Sequence, residues 1–275
     1  MTRAYTQTIA LIGGTGLAAG LFRLPLTEAR RLQDVAVTFG STTCRVLEYV
    51  EGFYGDLRVI IVPRHGTTLA RPDRSPATLV QQHGYEAHVW LFHQLGVSAV
   101  YAFSTVGALD LDVPLAGKLC FVVPHDYARG LGATVHSFGN LSKTIHPGMR
   151  EPFSPVLRAQ AIAAIEAAGA AALCHGLYIC SGPDQFETAA EVRALRRMYD
   201  GEEHRVVGMT VGPELVLCRQ MEIPYVAICA NSNYAQGLLD DAPVTHERVL
   251  AEMKPATDKM LEIAAHLVRI AADPA

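Results

Sequence analysis

Glycine-rich segments with hydrogen-bond donors follow the apolar runs of this sequence. The first, GGTG at residues 13–16, comes directly after Thr8–Ile12. Glycines let backbone N–H groups approach an anion closely, and the hydroxyl of Thr15 adds a donor. The spacing matches neither GxGxxG nor GxxxxGK(S/T), which disfavours a dinucleotide site and a P-loop nucleotidase. We interpret the segment as a phosphate cradle, with a tight turn that binds nothing as the alternative.

Arg64 and His65 stand side by side after a second apolar run, Leu57–Val62. A guanidinium holds a phosphate through two parallel charged hydrogen bonds, and an imidazole N–H donates another. The pair therefore predicts a second set of anion donors. A surface arginine beside a histidine that is satisfied by its neighbours is the alternative.

Hydroxyl side chains follow two further apolar runs. Ser104 and Thr105 come after Ser98–Phe103, and Thr210 lies just before Pro213. Proline is common in the first turn of a helix, and the positive end of the helix dipole favours an anion there. Four junctions with anion donors, in a chain without a Ser–His–Asp order, indicate that bound phosphate is itself a reactant.

Short apolar runs rich in Val, Ile and Tyr alternate with segments of helical period. This alternation predicts an α/β protein with a mainly parallel sheet covered on both faces. In such sheets ligands bind at the carboxyl ends of the strands, where the donors described above stand. A kink or break is expected at Pro255 in the last helix. The predicted strands are Thr8–Ile12, Leu57–Val62, Ser98–Phe103, Leu119–Val123, Leu177–Cys180, Arg205–Met209 and Tyr225–Ala230, and the predicted helices are Tyr85–Leu95, Pro155–Ala168, Thr188–Tyr199, Pro213–Met221 and Thr245–Ala271.

The domain organisation follows from length and continuity. The chain has 275 residues, and no repeat, linker or low-complexity tract divides it. A single domain over residues 1–275 is therefore expected. Thr67–Gln82 and Arg129–Met149 each lie between a predicted strand and a predicted helix, where active-site loops occur.

Composition argues against several classes of protein. Lys and Arg total 23 against 27 Asp and Glu, with no basic run, which disfavours a nucleic-acid partner. No run of about 20 apolar residues and no signal peptide are found, so a cytoplasmic protein that does not cross a membrane is expected. The six cysteines are scattered and none forms a CxxC pair. We expect buried free thiols and no metal site.

Six motifs occur in a fixed order: GGTG, PRHG, STVGAL, GPxxFETxAE, GMTxxPE and a final strand that bears asparagine. Together they resemble the trimeric nucleoside phosphorylases, which include purine nucleoside, methylthioadenosine and methylthioinosine phosphorylases. The resemblance spans Ile9 to about Val268. It implies one α/β domain with a mixed, mainly parallel sheet, a homotrimer or dimer of trimers, and no cofactor. The implied activity is that of a pentosyltransferase of purine salvage, which cleaves a purine nucleoside at C1′ with inorganic phosphate as co-substrate.

The resemblance also implies roles for individual residues. Phosphate stabilises the oxocarbenium-like sugar and attacks C1′, so the enzyme needs no covalent nucleophile of its own. Asn233 stabilises the leaving base at N7, and His65 is implied as the second catalytic residue. Phe186 falls on the position that stacks on the base, and Met209 on the position whose backbone meets the ribose. The implied phosphate-binding residues are Thr15, Arg64, His65, Ser104, Thr105 and Thr210, and the implied nucleoside-binding residues are Phe186, Glu187, Met209, Asn233, His246 and His146.

The choice of base depends on Asn233 and Glu187. Methylthioadenosine phosphorylases carry aspartates at the end of the last strand, whereas residues 231–235 here include no carboxylate. A neutral amide donates to O6, and Glu187 accepts the N1–H that hypoxanthine and guanine have and adenine lacks. Both features favour a 6-oxopurine nucleoside such as inosine or guanosine. An ordinary first-turn helix carboxylate is the alternative for Glu187.

The 5′ end of the substrate is less determined. His246 resembles the histidine that binds a 5′-hydroxyl, whereas His146 matches the 5′-pocket histidine of the methylthioadenosine enzymes. A capped surface histidine is the alternative for His246 and for His146. We favour a 5′-hydroxyl, with methylthioinosine and methylthioadenosine as alternatives. The base loop is one residue longer than the family pattern GPxFE, and Thr67–His83 displaces the aromatic expected at the ribose. A catalytically silent nucleoside-binding homologue and a simple hydrolase therefore also stay open.

Overall fold

The computed structural model describes residues 6–14, 17–67, 75–139, 146–239 and 243–273. Within these residues a mixed eleven-stranded sheet is flanked by helices on both faces. The strands are β1 (Gln7–Gly13), β2 (Thr27–Phe39), β3 (Thr42–Tyr54), β4 (Leu57–Pro63), β5 (Ala99–Ala108), β6 (Cys120–Val122), β7 (Asp126–Arg129), β8 (Ala171–Leu173), β9 (Leu177–Cys180), β10 (Val206–Gly208) and β11 (Tyr225–Tyr234).

The helices begin where the sequence supplies capping residues. Ser75, Ser154, Thr188 and Thr245 each accept a hydrogen bond from a first-turn backbone N–H, and proline follows the two serines. The helices are α1 (Ala18–Leu21), α2 (Pro76–Gln81), α3 (Gly84–Gln94), α4 (Pro155–Ala167), α5 (Ala189–Met198), α6 (Val211–Gln220) and α7 (His246–Ala272), with a 3-10 turn at Ala116–Lys118.

Both faces of the central strands are buried. Along β1, Ala10 and Ile12 pack into one core cluster while Ile9 and Leu11 pack into the cluster on the opposite face. Residues of α3 and α6 cover the first face, and residues of α4 and α7 cover the second. This burial explains why β1 is a continuous apolar run instead of an alternating one. It confirms the predicted α/β architecture.

The sheet divides at β5. Ala99–Ala102 pair in parallel with β1, whereas Gly107 and Ala108 pair antiparallel with β10 on the same side. The other side of β5 pairs in parallel with β11 along nearly its whole length. Among the described residues, Phe103–Val106 therefore have no strand partner on the side between β1 and β10. The segment that holds Ser104 and Thr105 borders this gap.

The sequence did not predict β2 and β3, which form a hairpin of two 13-residue strands at one edge of the sheet. The first half of β2 is polar and exposed, so it lacks the apolar run by which buried strands are recognised. The hairpin and the β5–β10 and β6–β11 pairs are antiparallel, whereas most other pairs are parallel. The sheet is therefore mixed and mainly parallel, as the resemblance implied.

Three further details differ from expectation. Helix α2 occupies the end of Thr67–Gln82, which was predicted as a loop. Helix α7 continues through Pro255 without a break. Helix α6 begins at Val211, so Pro213 is its third residue and not its first.

The six cysteines are free thiols, five of them buried. No helix among the described residues has the length and apolar character that a membrane crossing requires.

Candidate active site

Arg64 lies at the end of β4 and is almost completely buried, at 2% relative exposure. Its Nε donates to Oε1 of Glu214 on α6, and its Nη2 donates to Oε2 of the same carboxylate at 3.0 Å. Burial lowers the pKa of Arg64, but the charge of Glu214 more than compensates, so the pKa is raised and the guanidinium stays charged. The pair of parallel hydrogen bonds that the sequence assigned to phosphate is thus made to a protein carboxylate.

The end of β1 packs against the other edge of this guanidinium. Nη1 of Arg64 donates to the carbonyl of Phe103 at 3.0 Å, beside the backbone of Gly14. A Cβ at Gly14 would lie 2.6 Å from Nη1, so only glycine fits there. The backbone N–H of Arg64 also donates to Gly13 at 2.9 Å. Gly13 and Gly14 of the GGTG segment therefore meet Arg64, whereas Thr15 lies outside the described residues.

The hydroxyl side chains meet at the gap in the sheet. Strand β10 runs antiparallel to β5, so the chain after it continues alongside β5 towards Ser104, whose Oγ lies 3.4 Å from Oγ1 of Thr210. The sequence had placed Thr210 at an equivalent strand end, but it arrives from the opposite direction. Oγ1 of Thr105 is buried and has no hydrogen-bond partner among the described residues. A buried hydroxyl without a partner is rare and suits a ligand contact.

The turn that carries His65 is anchored by the hairpin. His65 is half-buried, and Gly66 adopts a φ of 87°, which glycine tolerates best. The next residue, Thr67, donates through its backbone N–H and its hydroxyl to Glu48, which is 2% exposed on β3. Burial raises the pKa of Glu48, but the hydrogen bonds from Thr67 and Arg31 outweigh it and lower the pKa overall. The carboxylate thus stays ionised and holds the turn.

The first N–H of α6 is already used inside the protein. The backbone N–H of Val211 donates to the buried hydroxyl of Tyr178 at 3.3 Å. Thr210 precedes the helix but makes no side-chain cap to it. Its hydroxyl is therefore directed to Ser104 and the gap in the sheet instead of to the helix.

Asn233 lies at the end of β11, after a bulge at residues 231–233. Its Oδ1 accepts from the hydroxyl of Ser232 at 2.9 Å, and its Nδ2 donates to the carbonyl of Tyr234 at 3.2 Å. A Cβ at Gly107 would lie 3.0 Å from Nδ2, and Val207 is the next neighbour. The amide is thus held in one orientation above the backbone of β5.

Glu187 and Phe186 lie on a more open part of the surface. Glu187 lines a cleft of about 200 Å³, and burial raises the pKa of its carboxyl group. Phe186 is 40% exposed and does not line this cleft. We call this region the base-side cleft, after the role that the sequence predicts for Glu187; its lining residues are Leu131, Gly132, Ser181, Gly182, Asp184, Gln185, Glu187, Glu191 and Leu195.

The remaining predicted residues are spread out. Met209 is partly buried in the bend between β10 and α6. His246 is the exposed first residue of α7, and His146 is exposed at the start of a described segment. No group of three or more His, Cys, Asp or Glu side chains in the described part of the chain is arranged to hold a metal ion. The roles of all these residues in binding stay predictions.

Sequence reasoning missed three residues that hold the donors in place. Glu48 anchors the turn after His65, Glu214 pairs with Arg64, and the hydroxyl of Tyr225 donates to Glu214 at 2.7 Å. Glu214 stands in GMTxxPE, next to the apolar stretch LVLC, and a charge in such surroundings is the signal that could have identified it. Glu48 and Tyr225 give no such signal, because their partners are far away in sequence. After the phosphate-binding role that the sequence predicts for Arg64, Ser104 and Thr210, we call Arg64, Glu214, Tyr225, Ser104 and Thr210 the phosphate-side network.

The fold and the site define a mixed α/β protein with polar side chains gathered at the ends of its central strands. The family model described as "Phosphorylase superfamily" matches residues 8–269. The chain therefore belongs to the phosphorylase superfamily and is a phosphorylase-family enzyme.

Relatives and solved structures agree with this assignment. A "Probable S-methyl-5'-thioinosine phosphorylase" of Pseudomonas syringae pv. tomato is 32% identical over 95% of this chain and 97% of that protein. Another from Methanopyrus kandleri is 31% identical over 92% and 90%. A "6-oxopurine nucleoside phosphorylase" of Pyrococcus furiosus is 28% identical over 93% and 89%. Methylthioadenosine phosphorylase from Schistosoma mansoni shares the fold, with a TM-score of 0.77 at 22% identity over 97% of this chain and 92% of that one.

Proposed function

We propose that this enzyme catalyses reversible phosphorolysis of a 6-oxopurine nucleoside, of the inosine or guanosine type, to free base and pentose 1-phosphate. The observation that carries this proposal is the fixed amide of Asn233 above Gly107, one strand from the hydroxyls of Ser104 and Thr105. An amide at that place faces a base whose sugar lies towards the hydroxyls. No cofactor is needed, since inorganic phosphate is a co-substrate.

The geometry supports a division of labour in the reaction. Phosphate is bound by Thr15, His65, Ser104, Thr105, Thr210 and the donors that Arg64 retains. Its negative charge stabilises the oxocarbenium-like sugar as the glycosidic bond breaks, and one of its oxygens attacks C1′. The bond electrons pass to the purine, where the oriented N–H of Asn233 stabilises the charge that develops at N7. Because the N–H groups of Asn233 and Arg64 are oriented before the reaction, little reorganisation opposes it.

The 6-oxo preference is supported by two properties of the site. Oδ1 of Asn233 accepts from Ser232 and one N–H of its Nδ2 donates to Tyr234, so the amide meets a ligand through its other N–H, a donor that suits O6 or N7. Glu187 supplies an acceptor for N1–H when its carboxyl group is ionised. The names of the relatives fit, because S-methyl-5'-thioinosine and the 6-oxopurine nucleosides have a 6-oxo base in common.

A methylthio substrate is the second candidate, favoured by the relatives named as S-methyl-5'-thioinosine phosphorylases. The two candidates differ only at the 5′ position. His246 donates to a 5′-hydroxyl in the first candidate, and a thioether needs an apolar contact in the second. S-methyl-5'-thioadenosine is less supported, since it lacks the 6-oxo group, although one relative at 30% identity carries the name of its phosphorylase.

The test is a panel of nucleosides assayed with and without phosphate, with release of free base followed by absorbance. Phosphate-dependent release of hypoxanthine or guanine is expected. Turnover of adenosine or S-methyl-5'-thioadenosine alone would contradict the assignment of the base. Equal release without phosphate would indicate a hydrolase, and nucleoside binding by calorimetry without any release would indicate a silent homologue.

A second experiment separates the two 5′ groups. His246→Val is expected to reduce kcat/KM for inosine more than for S-methyl-5'-thioinosine, because only the hydroxyl loses a hydrogen bond. His266→Val is the matched control, since it lies on the same helix about 30 Å away at 1.5 Å per residue. Equal losses for both substrates in His246→Val would remove the role assigned to His246.

A further inference from the structure

We propose that Glu214, itself held by Tyr225, is the positioning residue that orients Arg64 for phosphate. This proposal rests on the proposed function, because it concerns the donors that the phosphate would meet. The residue lies on the fourth position of α6, and 150 residues of sequence separate it from Arg64. It therefore joins the end of β4 to the segment that carries Thr210.

The hydrogen bonds of Arg64 determine which of its donors stay open. A guanidinium has five N–H groups in one plane. Nε and one N–H of Nη2 face Glu214, and one N–H of Nη1 faces the carbonyl of Phe103. One N–H on Nη1 and one on Nη2 are left. The carboxylate thus selects the edge of the guanidinium that a ligand meets.

Tyr225 fixes the carboxylate in turn. Its hydroxyl donates to Oε2 of Glu214 at 2.7 Å, the same oxygen that accepts from Nη2 of Arg64. Tyr225 is the first residue of β11 and is fully buried. Two donors on one oxygen prevent the carboxylate from rotating away from the guanidinium. Because Tyr225 is held in β11, its hydrogen bond to Glu214 also restricts the orientation of Arg64.

The charge of the pair has a consequence for phosphate binding. Glu214 neutralises Arg64 in a place that solvent barely reaches, since the side chains are 1% and 0% exposed. The pair therefore attracts an anion mainly through the direction of its remaining N–H groups and less through net charge. Misorienting Arg64 should weaken phosphate binding even though the positive charge is kept. Nucleoside binding, which depends on Asn233 and Glu187, should change little.

The experiment compares two tyrosine-to-phenylalanine variants. Tyr225→Phe removes the hydroxyl that holds Glu214. Tyr85→Phe is the matched control, because Tyr85 is equally buried and senses the charges of the same pair, yet its hydroxyl has no hydrogen-bond partner among the described residues. Phosphate KM, nucleoside KM and kcat are measured for both variants, and binding of inorganic phosphate is measured directly by calorimetry.

Tyr225→Phe is expected to raise the phosphate KM and Kd about tenfold, the size typical of losing a residue that orients a ligand-binding side chain. The nucleoside KM should stay within about twofold, and Tyr85→Phe should leave both constants near wild type. Unchanged phosphate binding in Tyr225→Phe, or equal losses in both variants, would overturn the proposal. A wild type that neither binds phosphate nor turns over nucleoside would instead defeat the proposed function.

Glu214→Gln gives a second reading of the same idea. The amide keeps the shape of the side chain, but an NH₂ group replaces one of the two oxygens that accept from Arg64. The phosphate Kd should therefore rise more than in Tyr225→Phe, by about 10–100-fold. Circular dichroism checks that the variant is folded. Tighter phosphate binding in a folded Glu214→Gln would show that Glu214 opposes the anion by its charge, and that outcome also overturns the proposal.

Discussion

The phosphate-side network and the base-side cleft are built in different ways. Arg64, Glu214 and Tyr225 are buried at the junction of three elements and hold each other by hydrogen bonds. Glu187 and Phe186 lie in a loop between β9 and α5 that borders an open cleft. This difference fits the proposed function, in which donors that meet a small anion are fixed in advance and the walls around a larger ligand stay accessible. The two regions should therefore respond differently to the same kind of substitution.

The largest difference is expected for removal of a carboxylate from each region. Glu214→Ala leaves the guanidinium of Arg64 buried without its partner and should reduce the free energy of unfolding by about 3–5 kcal/mol. Glu187→Ala removes a partly buried carboxylate with no such partner and should change it by less than about 1 kcal/mol. Denaturant unfolding of both variants measures the two losses. Equal losses would contradict the distinction between the two regions.

The turn after His65 allows the next test. Glu48→Gln weakens the acceptors of Thr67 and Arg31 and should cost about 1–3 kcal/mol at neutral pH. Glu51→Gln on the same strand is the control, because its pair with Arg58 is partly exposed and is expected to contribute under about 1 kcal/mol.

The stability difference between the wild type and Glu48→Gln should depend on pH. The folded pKa of Glu48 is lowered, so its contribution to stability is complete above the ordinary glutamate pKa of about 4.3. That contribution is lost as the pH falls through the lower folded pKa. The wild-type advantage over Glu48→Gln should therefore shrink when unfolding is measured at acidic pH. An advantage that stays constant down to the acid transition would show that the charge of Glu48 is not involved.

A smaller loss of stability is expected at the start of α5, next to the base-side cleft. Oγ1 of Thr188 accepts from the backbone N–H of Glu191 at 3.2 Å and caps the helix. Thr188→Ala should cost about 1 kcal/mol, and Thr188→Ser should restore most of it. Hydrogen exchange should show the loss within α5 only. A loss of protection that reached β4 and β5 would show that the two regions unfold together.

The smallest effect at neutral pH concerns the ionisation of Glu187. Burial raises its folded pKa, so the carboxylate, which the proposed function assigns to N1–H of the base, is present above that pKa and is lost as the pH falls through it. At saturating phosphate, the KM for a 6-oxopurine nucleoside should rise in this acidic range. Glu187→Gln should lack this dependence. An identical acid limb in both proteins would assign the titration to another group.

Local signals were enough for the central elements. The apolar runs of β1, β4, β5, β9 and β11 identified them, because strands buried on both faces need continuous apolar sequence. The predicted starts of α4, α5 and α7 also lie within one residue of the observed ones, where Ser154, Thr188 and Thr245 cap the helices. The hairpin was missed because half of β2 is polar and its register depends on pairing with β3. Its role in holding Thr67 through Glu48 was therefore missed too.

The sequence by itself determined the α/β alternation, the order of the motifs and the types of donor that follow each strand. Only the tertiary structure decided which of these donors are already used. Arg64 turned out to be paired with Glu214, and Thr210 to approach Ser104 from an antiparallel strand. The physical reason is that the chemical type of a side chain specifies which hydrogen bonds it can make. Its actual partners depend on contacts between segments 100 or more residues apart, and these form only when the sheet is assembled.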